Sequence, residues 1–397
     1  MRPGWLDKRH DRDMRALSAA HSIADLRLLA RRRLPRAVFD FIDGGATDET
    51  TLRGNAAAFD DWYLMPRVAV DVSRRDTRRS ILGFESQLPI MWSPTGLAGF
   101  FRRDGEIVGA RAASSCGVPF CLSTNSIASI EDVARASPDG DRWFQLYFLK
   151  DRDWMNGLLD RAMASDYRVL CLTVDLPLQG QRERDLRNAF TLPLRPTMRS
   201  AFDIARRPAW LLDTLRSPLR FGNFDTSAAS GFTSIAQHVA TLFDPSANWN
   251  DVARIRDRWK GPMAIKGILH PADAAKAIEL GADAVIVSNH GGRQLDHSPP
   301  ALVALPAIVE AVGGRGDIIL DGGVRRATDI LKAIALGATA GASGRTFLWG
   351  LAAGGEAGVR RAIEILRREI DNAMALLGVS DLNGVTRDHV RRRSSDI

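Results

Sequence analysis

The segment SNHGGRQLD holds a histidine and an arginine three residues apart, directly after an apolar run. Histidine titrates near neutral pH and can accept a proton, whereas arginine can bind a carboxylate through two parallel hydrogen bonds. The glycines between His290 and Arg293 let the backbone turn so that both side chains face one pocket. Asp175, at the end of another apolar run, is placed to stabilise the protonated histidine. These residues predict a base beside a carboxylate-binding group.

Glycine and arginine are also combined at two later points of the chain. DGGVR carries Arg325 and SGR carries Arg345, and each follows an apolar run. Backbone N–H groups in glycine turns and guanidinium groups are common ligands of phosphate. Either segment alone is weak evidence. Together, at the ends of two adjacent strands, they predict a binding site for a phosphorylated ligand.

The elements that must position these residues are visible as an alternation of short apolar runs with segments of helical period. Runs rich in Val, Ile and Leu begin at about residue 86, a pattern typical of βα units that build a buried parallel sheet. Eight successive units favour a closed (β/α)8 TIM barrel over an open doubly wound sheet. The predicted strands are 88–93, 118–123, 142–148, 168–174, 262–267, 283–289, 316–321 and 338–343.

Polar or titratable residues end nearly every one of these runs. A barrel with a purely structural role would tolerate one or two such residues as loop caps, and reactive residues of this fold project from the carboxyl ends of its strands. The pattern therefore predicts a binding site at that end of the barrel. The strand-end residues are Thr95, Ser123, Gln145, Tyr147, Thr173, Asp175, Lys266, Ser288, His290, Asp321, Gly344 and Arg345.

Two regions lie outside the eight units, although we expect the chain, residues 1–397, to form a single domain. Residues 1–85 have a helical pattern and are expected to close the bottom or flank of the barrel, which occupies 86–378. Residues 185–250 interrupt the fourth βα unit and are too long for an ordinary connection. Trp210, Leu211, Leu212 and Leu215 can gather on one face among arginines, which fits either a lid or a membrane contact.

Composition narrows the class of protein. The chain has 397 residues, 45% of them hydrophobic, and a net charge of +7 that comes almost entirely from arginine. Arginine excess alone does not indicate nucleic-acid binding, and no basic run with interleaved aromatic residues suggests such a module. The three cysteines form no disulfide framework and no CxxC metal motif, so no metal site is expected. The first thirty residues lack a signal-peptide core.

SNHGGRQLD, FQLY, TVD, KG and DGGVRRATDILKAIALGA resemble the signature segments of the FMN-dependent α-hydroxy acid oxidase and dehydrogenase family. The resemblance runs in the same order from Ile23 to Gly378 and so covers most of the chain. The segments SPTGLAG, LST and RERDLRNAF are most similar to the mandelate and L-lactate dehydrogenase branch. The resemblance implies a (β/α)8 barrel, bound FMN and a homotetramer.

The resemblance also implies a role for each strand-end residue. His290 would be the active-site base, and Asp175 would stabilise its protonated form. Arg182 and Arg293 would bind the substrate carboxylate, and Tyr147 would hydrogen-bond the reacting hydroxyl or carboxylate region. FMN contacts would come from Thr95, Ser123, Gln145, Thr173, Lys266, Ser288, Asp321, Gly322, Gly323, Arg325, Gly344 and Arg345.

One position departs from the family pattern. Where the family usually has a tyrosine that contacts the substrate carboxylate, this chain reads FDFIDGGATDE, with Phe41. Losing one donor to a charged group typically costs ~1.5–3 kcal/mol. Either the substrate is not a simple 2-hydroxy acid, or Arg182 and Arg293 carry more of the binding. A third interpretation is that Phe41 only packs in a buried helix.

These observations predict an enzyme that oxidises a 2-hydroxy acid such as lactate or mandelate to the 2-oxo acid, with electrons passed to quinone or another acceptor. Gly96, in SPTG, resembles the dehydrogenase branch rather than the oxidases. The alternatives are an oxygen-using oxidase, a flavin-dependent barrel enzyme on a modified substrate, a flavin-using isomerase or another phosphate-binding barrel, and a non-catalytic membrane-binding or scaffold protein. We expect a cytoplasmic protein, held on the inner face of the membrane if 185–250 is a membrane contact.

Overall fold

The computed structural model of the chain describes residues 14–188, 198–216, 221–224 and 242–393. Its architecture is a closed barrel of eight parallel strands, surrounded by helices. The strands are β1 Trp62–Leu64, β2 Arg79–Ile81, β3 Phe84–Ser86, β4 Ile90–Trp92, β5 Phe120–Ser123, β6 Arg142–Tyr147, β7 Val169–Thr173, β8 Met263–Ile268, β9 Ala284–Ser288, β10 Asp317–Asp321, β11 Ala340–Ser343 and β12 Val390–Arg392.

Strands β4 to β11 follow one another around the barrel in chain order, and β11 closes the ring by pairing with β4. All eight predicted runs form these strands, so the sequence-based prediction of a (β/α)8 barrel is confirmed. Seven of the strands are shorter than predicted by one or two residues at one or both ends, and β8 is shifted by one residue toward the carboxyl end. The parallel register breaks once, between Lys266 and Ile268 on β8, where the backbone bulges.

Helices cover the outside of the barrel and form the flanking segments. They are α1 Ile23–Arg33, α2 Arg36–Asp43, α3 Thr50–Ala57, α4 Ala98–Phe101, α5 Gly105–Cys116, α6 Ile130–Ala136, α7 Arg152–Ala164, α8 Glu183–Arg187, α9 Met198–Ala205, α10 Pro208–Leu215, α11 Trp249–Arg258, α12 Pro271–Glu279, α13 Ala301–Val312, α14 Ala327–Ala335, α15 Arg345–Gly354 and α16 Glu356–Leu377. No helix among the described residues is long and apolar enough to span a bilayer.

The side chains inside the barrel explain which end carries the chemistry. Successive residues of a strand point to opposite faces, so every second residue faces the interior. On β7 the inward series runs from Val169 through Cys171 to Thr173, apolar at the amino end and polar at the carboxyl end. On β5 it runs from Cys121 to Ser123. The lower layers are therefore a packed core, and the polar upper layer forms the floor of a site.

The described part of the flanking segment, residues 14–85, occupies both ends of the barrel, whereas the sequence pattern predicted the bottom or flank for 1–85. The β2–β3 hairpin does close the bottom, where Ile81 packs fully buried into the interior cluster. Helix α2, however, ends beside the carboxyl ends of the strands, and its residue Phe41 lines the cavity there. A helical pattern identifies the buried face of a helix but not which end of a barrel that face covers.

Helices α8, α9 and α10 belong to the predicted insertion in the fourth βα unit. The expected apolar face on 210–215 is not intact, because Trp210 is only 2% exposed and donates its indole N–H to the Phe100 carbonyl at 3.0 Å. Asp213 pairs with Arg33 at 2.9 Å, which fastens α10 to α1. Leu215 is 73% exposed. The remainder of the 185–250 prediction lies partly outside the described residues.

Candidate active site

The carboxyl ends of the barrel strands, the loops that follow them and the end of α2 enclose a cavity of about 540 Å³. Twelve of the residues predicted from sequence line it: Thr95, Tyr147, Arg182, Lys266, His290, Arg293, Asp321, Gly322, Gly323, Arg325, Gly344 and Arg345. The other five predicted residues, Ser123, Gln145, Thr173, Asp175 and Ser288, lie behind this lining. The structure therefore brings the predicted set together at one place.

His290 and Asp175 form a hydrogen-bonded pair at this cavity. The His290 Nδ1 and Asp175 Oδ1 atoms are 2.9 Å apart. Burial lowers the pKa of His290, and the charges of Lys266 and Arg182 lower it further, against the raising effect of Asp175. Burial alone would raise the pKa of Asp175, but the charge and hydrogen bond of His290 outweigh it, and the pKa is lowered. The pair is therefore a neutral imidazole beside an ionised carboxylate.

The backbone around this pair is held in an uncommon conformation. His290 has φ +57°, and Gly291 and Gly292 continue in the left-handed region with φ +65° and +73°. Only glycine adopts this region without strain, so the two glycines carry the turn that points the histidine into the cavity. On the other side of the pair, a Cβ at Gly267 would lie 2.6 Å from the Cβ of Asp175. The β8 bulge therefore leaves room for the carboxylate.

Arg182 and Arg293 both lie close to the Phe41 ring. Their guanidinium carbons are 5.7 and 4.9 Å from the ring centroid. Arg293 also donates to the carbonyl oxygens of Phe41 at 2.6 Å and Gly44 at 3.1 Å. Phe41 therefore lines the cavity and is not only a packing residue. Burial lowers the pKa of both arginines. Keeping both guanidinium groups charged inside the protein therefore costs free energy, and an anionic ligand would reduce that cost.

Asp185, on α8, is a cavity residue that the sequence analysis missed. Its Oδ2 is 4.0 Å from an Arg182 guanidinium nitrogen, and it lies near Arg293. Burial raises its pKa, although both arginines act to lower it. Asp185 is thus a buried carboxyl group beside the two cations predicted to bind a carboxylate. Its three-residue spacing from Arg182 in RERDLRNAF was the available signal.

Tyr147 ends β6 next to this group. It is buried, and its ring meets Phe243 edge-on with centroids 5.2 Å apart. Burial raises the pKa of the Tyr147 hydroxyl, with the Asp175 charge adding to the effect. The phenol therefore stays protonated and able to donate a hydrogen bond into the cavity.

A buried charge network lies under the cavity floor. Lys266 Nζ is 3.0 Å from both Asp321 Oδ2 and the Ser288 hydroxyl. Asp321 also accepts from Ser93 at 2.6 Å and from Ser288 at 2.8 Å. Burial would lower the pKa of Lys266, but the Asp321 and Asp175 charges raise it, so the lysine stays protonated. The floor thus presents a buried ion pair, with the Lys266 ammonium as its positive end, to whatever occupies the cavity.

Two buried polar atoms of the barrel interior, Gln145 Nε2 and Thr173 Oγ1, have no hydrogen-bond partner among the described residues. Gln145 Oε1 is used, since it accepts from the Ser123 hydroxyl at 3.1 Å. An unpartnered buried donor is costly unless a ligand satisfies it. With the Lys266 charge nearby, these atoms fit the polar edge of a flavin ring, which carries several acceptors and at least one donor.

The ends of β10 and β11 form the region predicted to bind phosphate. A Cβ at Gly323, which has φ +86°, would lie 2.0 Å from the Asn55 carbonyl oxygen, so no side chain fits there. Burial lowers the pKa of Arg345 to about 9, and the charge of Arg325 adds to the effect. Burial likewise lowers the pKa of Arg325 to about 10. Two buried cations beside glycine turns fit a phosphate group.

Arg345 has a second set of contacts that the sequence did not predict. Its guanidinium donates to the carbonyl oxygens of Ile42 at 3.0 Å, Gly291 at 2.9 Å and Gly44 at 2.8 Å. These bonds use three of its five N–H groups and leave two for a ligand. The arginine therefore joins the last barrel strand to α2 and to the histidine loop.

Two polar contacts hold the histidine loop to α3, and sequence analysis missed both. The side-chain amides of Asn55 and Asn289 pair reciprocally, each bond being 2.8 Å long. Asp296 accepts from the backbone N–H groups of Thr50 and Thr51 at 3.2 and 2.8 Å, and so caps the amino end of α3. SNHGGRQLD therefore carries residues that position the base as well as the base itself.

This geometry defines a class of protein: a (β/α)8 barrel enzyme that binds a phosphorylated flavin and places a base and two arginines beside it. Comparison with known proteins gives the family. The model of the family described as FMN-dependent dehydrogenase matches residues 30–392. The chain belongs to the FMN-dependent dehydrogenase family.

Relatives and solved structures agree with this assignment. The chain is 45% identical over 368 residues to an L-lactate dehydrogenase of Caulobacter vibrioides, covering 92% of this chain and 96% of that protein. It is 41% identical over 375 residues to an L-lactate oxidase of Nostoc sp., covering 94% and 98%. The crystal structure of the monotopic membrane protein (S)-mandelate dehydrogenase superposes with a TM-score of 0.91 at 38% identity, covering 94% of this chain and all of that chain.

These comparisons confirm several of the sequence-based predictions. The family, the barrel fold, FMN as cofactor and the assignment as an FMN-dependent 2-hydroxy acid oxidoreductase are confirmed. The particular acid, the electron acceptor and the roles of individual residues are not specified by them.

Proposed function

We propose that the protein oxidises a 2-hydroxy acid at the cavity, with His290 as the base and Arg182 and Arg293 as the carboxylate ligands. The observation that carries this proposal is the 2.9 Å contact between His290 Nδ1 and Asp175 Oδ1 in a cavity that both arginines line. A base, its charged partner and two cations are what proton removal from a hydroxy acid anion requires.

The pair determines which nitrogen of His290 takes the proton. Asp175 is ionised and can only accept, so the neutral imidazole carries its proton on Nδ1 and donates it to Asp175. Nε2 is left with a lone pair for the substrate proton. The imidazolium that results is stabilised by the adjacent Asp175 carboxylate. The paired carboxylate therefore acts most strongly on the state that forms during the reaction.

FMN, when bound, supplies the redox chemistry by accepting two electrons from the substrate. Gln145, Thr173 and Lys266 would hold the polar part of its ring system, and Arg325 and Arg345 its phosphate. The protonated Lys266 would favour negative charge on the reduced ring. Tyr147 would donate to the substrate hydroxyl or carboxylate.

The substrate side chain is inferred from the cavity walls. Leu97, Leu176, Phe221 and Phe243 line the cavity in addition to the polar groups. These residues favour an acid with an aromatic or branched side chain, such as mandelate, over lactate. Turnover of the two acids should differ in kcat/KM in favour of mandelate, and a preference for lactate would contradict this choice.

The decisive experiment is anaerobic reduction of the bound flavin. His290→Gln should keep FMN and lose most flavin reduction by 2-hydroxy acids, since glutamine cannot accept the proton; general-base catalysis contributes roughly 10²–10⁴-fold in rate. His270→Gln, at the amino end of α12 and outside the cavity lining, is the matched control. Near-normal reduction by the His290 variant would remove it from the mechanism.

We infer quinone as the electron acceptor, with oxygen as the alternative. Gly96 lines the cavity, and a Cβ there would lie 3.1 Å from the Asn125 Cβ. Glycine at this position is similar to the dehydrogenase branch, whereas the relatives named above include both dehydrogenases and an oxidase. Turnover with a water-soluble quinone should exceed turnover with oxygen, and rapid peroxide formation would favour the oxidase.

Peripheral contact with the inner face of the cytoplasmic membrane would bring the protein to that quinone. Phe202 is 62% and Leu215 73% exposed on α9 and α10, near the exposed Arg206 and Arg216. Exposed apolar residues beside cations suit an anionic lipid surface. The neighbouring (S)-mandelate dehydrogenase structure is described as monotopic.

Sedimentation with anionic liposomes at low and high salt tests this contact. Replacing Phe202 and Leu215 with glutamine should abolish binding, whereas Leu376→Gln, which removes a leucine 70% exposed on α16, should not. Failure of the intact protein to sediment at low salt would eliminate the membrane proposal. Loss of dye-linked turnover on deletion of 195–222 would favour a lid.

We further infer that residues 1–397 form one domain and assemble as a homotetramer, as the family resemblance implies. Light scattering should then give four times the chain mass of 43.5 kDa. Unfolding should proceed in one cooperative transition. A monomeric mass, or two separate transitions, would contradict these inferences.

A further inference from the structure

Asn125 differs from its neighbours in how its side chain is used. Thr124 donates its hydroxyl to the Gln145 carbonyl at 2.5 Å, and Ser126 donates to the Ala128 carbonyl at 2.7 Å. The amide of Asn125 makes no hydrogen bond to any described residue, and its Oδ1 is buried. Asn125 nevertheless lines the cavity. An amide can make four hydrogen bonds, two as donor and two as acceptor, and the described residues satisfy none of them here.

The loop that carries Asn125 is held rigidly. Its backbone N–H is bonded to the Ser123 hydroxyl at 3.2 Å, and its carbonyl accepts from Leu97 at 3.0 Å. The buried Glu106 accepts from the Ile127 N–H at 2.9 Å. Because the backbone is fixed, the Asn125 amide can reach few other hydrogen-bonding groups of the protein. A ligand in the cavity is therefore the natural source of its hydrogen bonds.

The position of Asn125 in the ring indicates which part of a ligand it meets. Strand β5, which ends at Ser123, stands opposite β9 in the eight-strand ring, and His290 follows β9. An acid whose carboxylate lies at Arg182 and Arg293, and whose hydroxyl carbon lies at His290, directs its side chain away from these groups. The side chain thus points toward the β5 side of the cavity.

The surroundings of Asn125 on that side are apolar. Leu97 adjoins it through the hydrogen bond to its carbonyl, and both residues line the cavity. Phe221 lines the cavity, and Gly222 beside it donates to the Ser126 carbonyl at 3.1 Å. Asn125 is therefore a polar group set among apolar walls, and an entirely apolar ligand would bury its amide without a partner.

We propose that Asn125 is a specificity-determining residue that favours 2-hydroxy acids whose apolar side chain carries a hydroxyl group. The proposal rests on the function proposed above. A hydroxyl can donate to the amide oxygen and accept from the amide nitrogen, so it satisfies the amide whichever way the amide is turned. A site built to bond a hydroxyl disfavours the analogue that lacks it, because the buried amide is then left unpaired.

The test compares mandelate with 3-hydroxymandelate and 4-hydroxymandelate in the FMN-loaded enzyme. One neutral hydrogen bond corresponds to a preference of about 3- to 10-fold in kcat/KM for at least one hydroxylated acid. Asn125→Leu keeps the size of the side chain and removes its hydrogen bonds, so it should abolish or reverse the preference. Asn250→Leu, at an exposed position on α11, should keep the preference of the unaltered enzyme.

The flavin provides a second readout. The absorbance spectrum and FMN content of Asn125→Leu should match those of the unaltered enzyme, since Asn125 is assigned to the substrate. If this variant does not fold, Asn125→Ala repeats the comparison with a smaller side chain.

Three results would overturn the proposal: equal kcat/KM for all three acids, an unchanged preference in both Asn125 variants, or loss of FMN, which would assign the amide to the cofactor. Failure of every 2-hydroxy acid to reduce the flavin would instead overturn the proposed function, and this proposal with it.

Discussion

At the scale of single residues, the site depends on opposite effects of burial on neighbouring groups. Burial keeps His290 neutral, while the imidazole and Lys266 keep Asp175 ionised. The same burial favours protonated Tyr147. Burial and the neighbouring charges together therefore leave a neutral acceptor, an ionised partner and a protonated donor at one cavity.

The pH dependence of flavin reduction follows from this pair. His290 must be neutral to act, so kcat/KM should rise with pH through its pKa, with a midpoint below the ordinary value of 6.5, and then level off. Asp175 raises the pKa of His290, so Asp175→Asn should move that midpoint to lower pH. The same change should lower the plateau rate on the order of 10- to 100-fold, because the imidazolium loses its counter-charge.

Stopped-flow reduction from pH 5 to 9 measures both effects of Asp175→Asn. Asp153→Asn, on α7 outside the cavity lining, is a control that should change neither. A plateau rate equal to that of the unaltered enzyme would separate Asp175 from the mechanism.

Phe41→Tyr should restore a donor close to Arg182 and Arg293. The ring position is kept, and a hydroxyl bonded to a carboxylate contributes ~1.5–3 kcal/mol, so KM for small 2-hydroxy acids should fall by about tenfold or more. Phe39→Tyr, on the same helix but outside the cavity lining, should leave KM unchanged. Steady-state kinetics with lactate and mandelate measure KM for both variants. An unchanged or higher KM would mean that the natural substrate needs an apolar wall there.

Most of the predicted residues end strands or follow them directly, because an inward series of residues that turns polar at a carboxyl end is visible in the sequence. Arg182, which lies well beyond the end of β7, was predicted from the family resemblance instead. Asp185, Asn125 and Asp296 were missed for the same reason, since none of them ends a strand. Their roles depend on which loops meet above the barrel. Tertiary packing determines which loops come together there, and a local pattern of residues carries no information about that packing.

At the scale of elements, the wall of the site is built from segments far apart in the chain. The carbonyl oxygens at the end of α2 are held by Arg293 from the β9 loop and by Arg345 from the start of α15. The eight strands were predicted from their composition and alternation. The position of α2 at the carboxyl end of the barrel was not, because both ends of a barrel offer apolar surface to an amphipathic helix.

Arg345→Ala should therefore weaken both the cofactor site and the wall. We expect the variant to purify largely without FMN and to regain flavin absorbance at excess FMN, because a buried phosphate ligand and three carbonyl bonds are lost together. Arg360→Ala, a partly exposed arginine on α16, is the matched control. Flavin content after gel filtration is the measurement. A full complement of FMN in the Arg345 variant would place the phosphate elsewhere.

At the scale of the whole molecule, the buried carboxyl group of Asp141, at the amino ends of the strands, makes the free energy of unfolding depend on pH. Asp141 immediately precedes β6 and accepts from the Trp143 indole at 3.2 Å, while its other oxygen is buried without a partner in the described part of the chain. Burial raises the pKa of Asp141 to about 6. Because the folded pKa lies above the unfolded one, the contribution of Asp141 to stability is present at low pH and is lost as the pH rises through about 6.

Asp141→Asn should remove this dependence. At pH 8 the variant should gain on the order of 2 kcal/mol in the free energy of unfolding, and at pH 4 little should change. Urea unfolding at constant excess FMN measures the difference, with the exposed Asp139→Asn as a control. Equal free energies of unfolding for the variant and the unaltered protein at pH 8 would show that the buried Asp141 carboxylate does not destabilise the fold.

The carbonyl bonds from Arg345 to Ile42 and Gly44 have a consequence for synthesis of the protein. The two partners are separated by about 300 positions, and the ring itself closes only when β11 reaches β4. During translation the first residues of the site leave the ribosome long before the last ones exist. A nascent chain can form early βα units but has no completed cavity until residue 345 has emerged. Incomplete products are therefore expected to lack bound flavin, and the yellow colour of the cofactor would mark only chains whose synthesis had passed the final barrel strand.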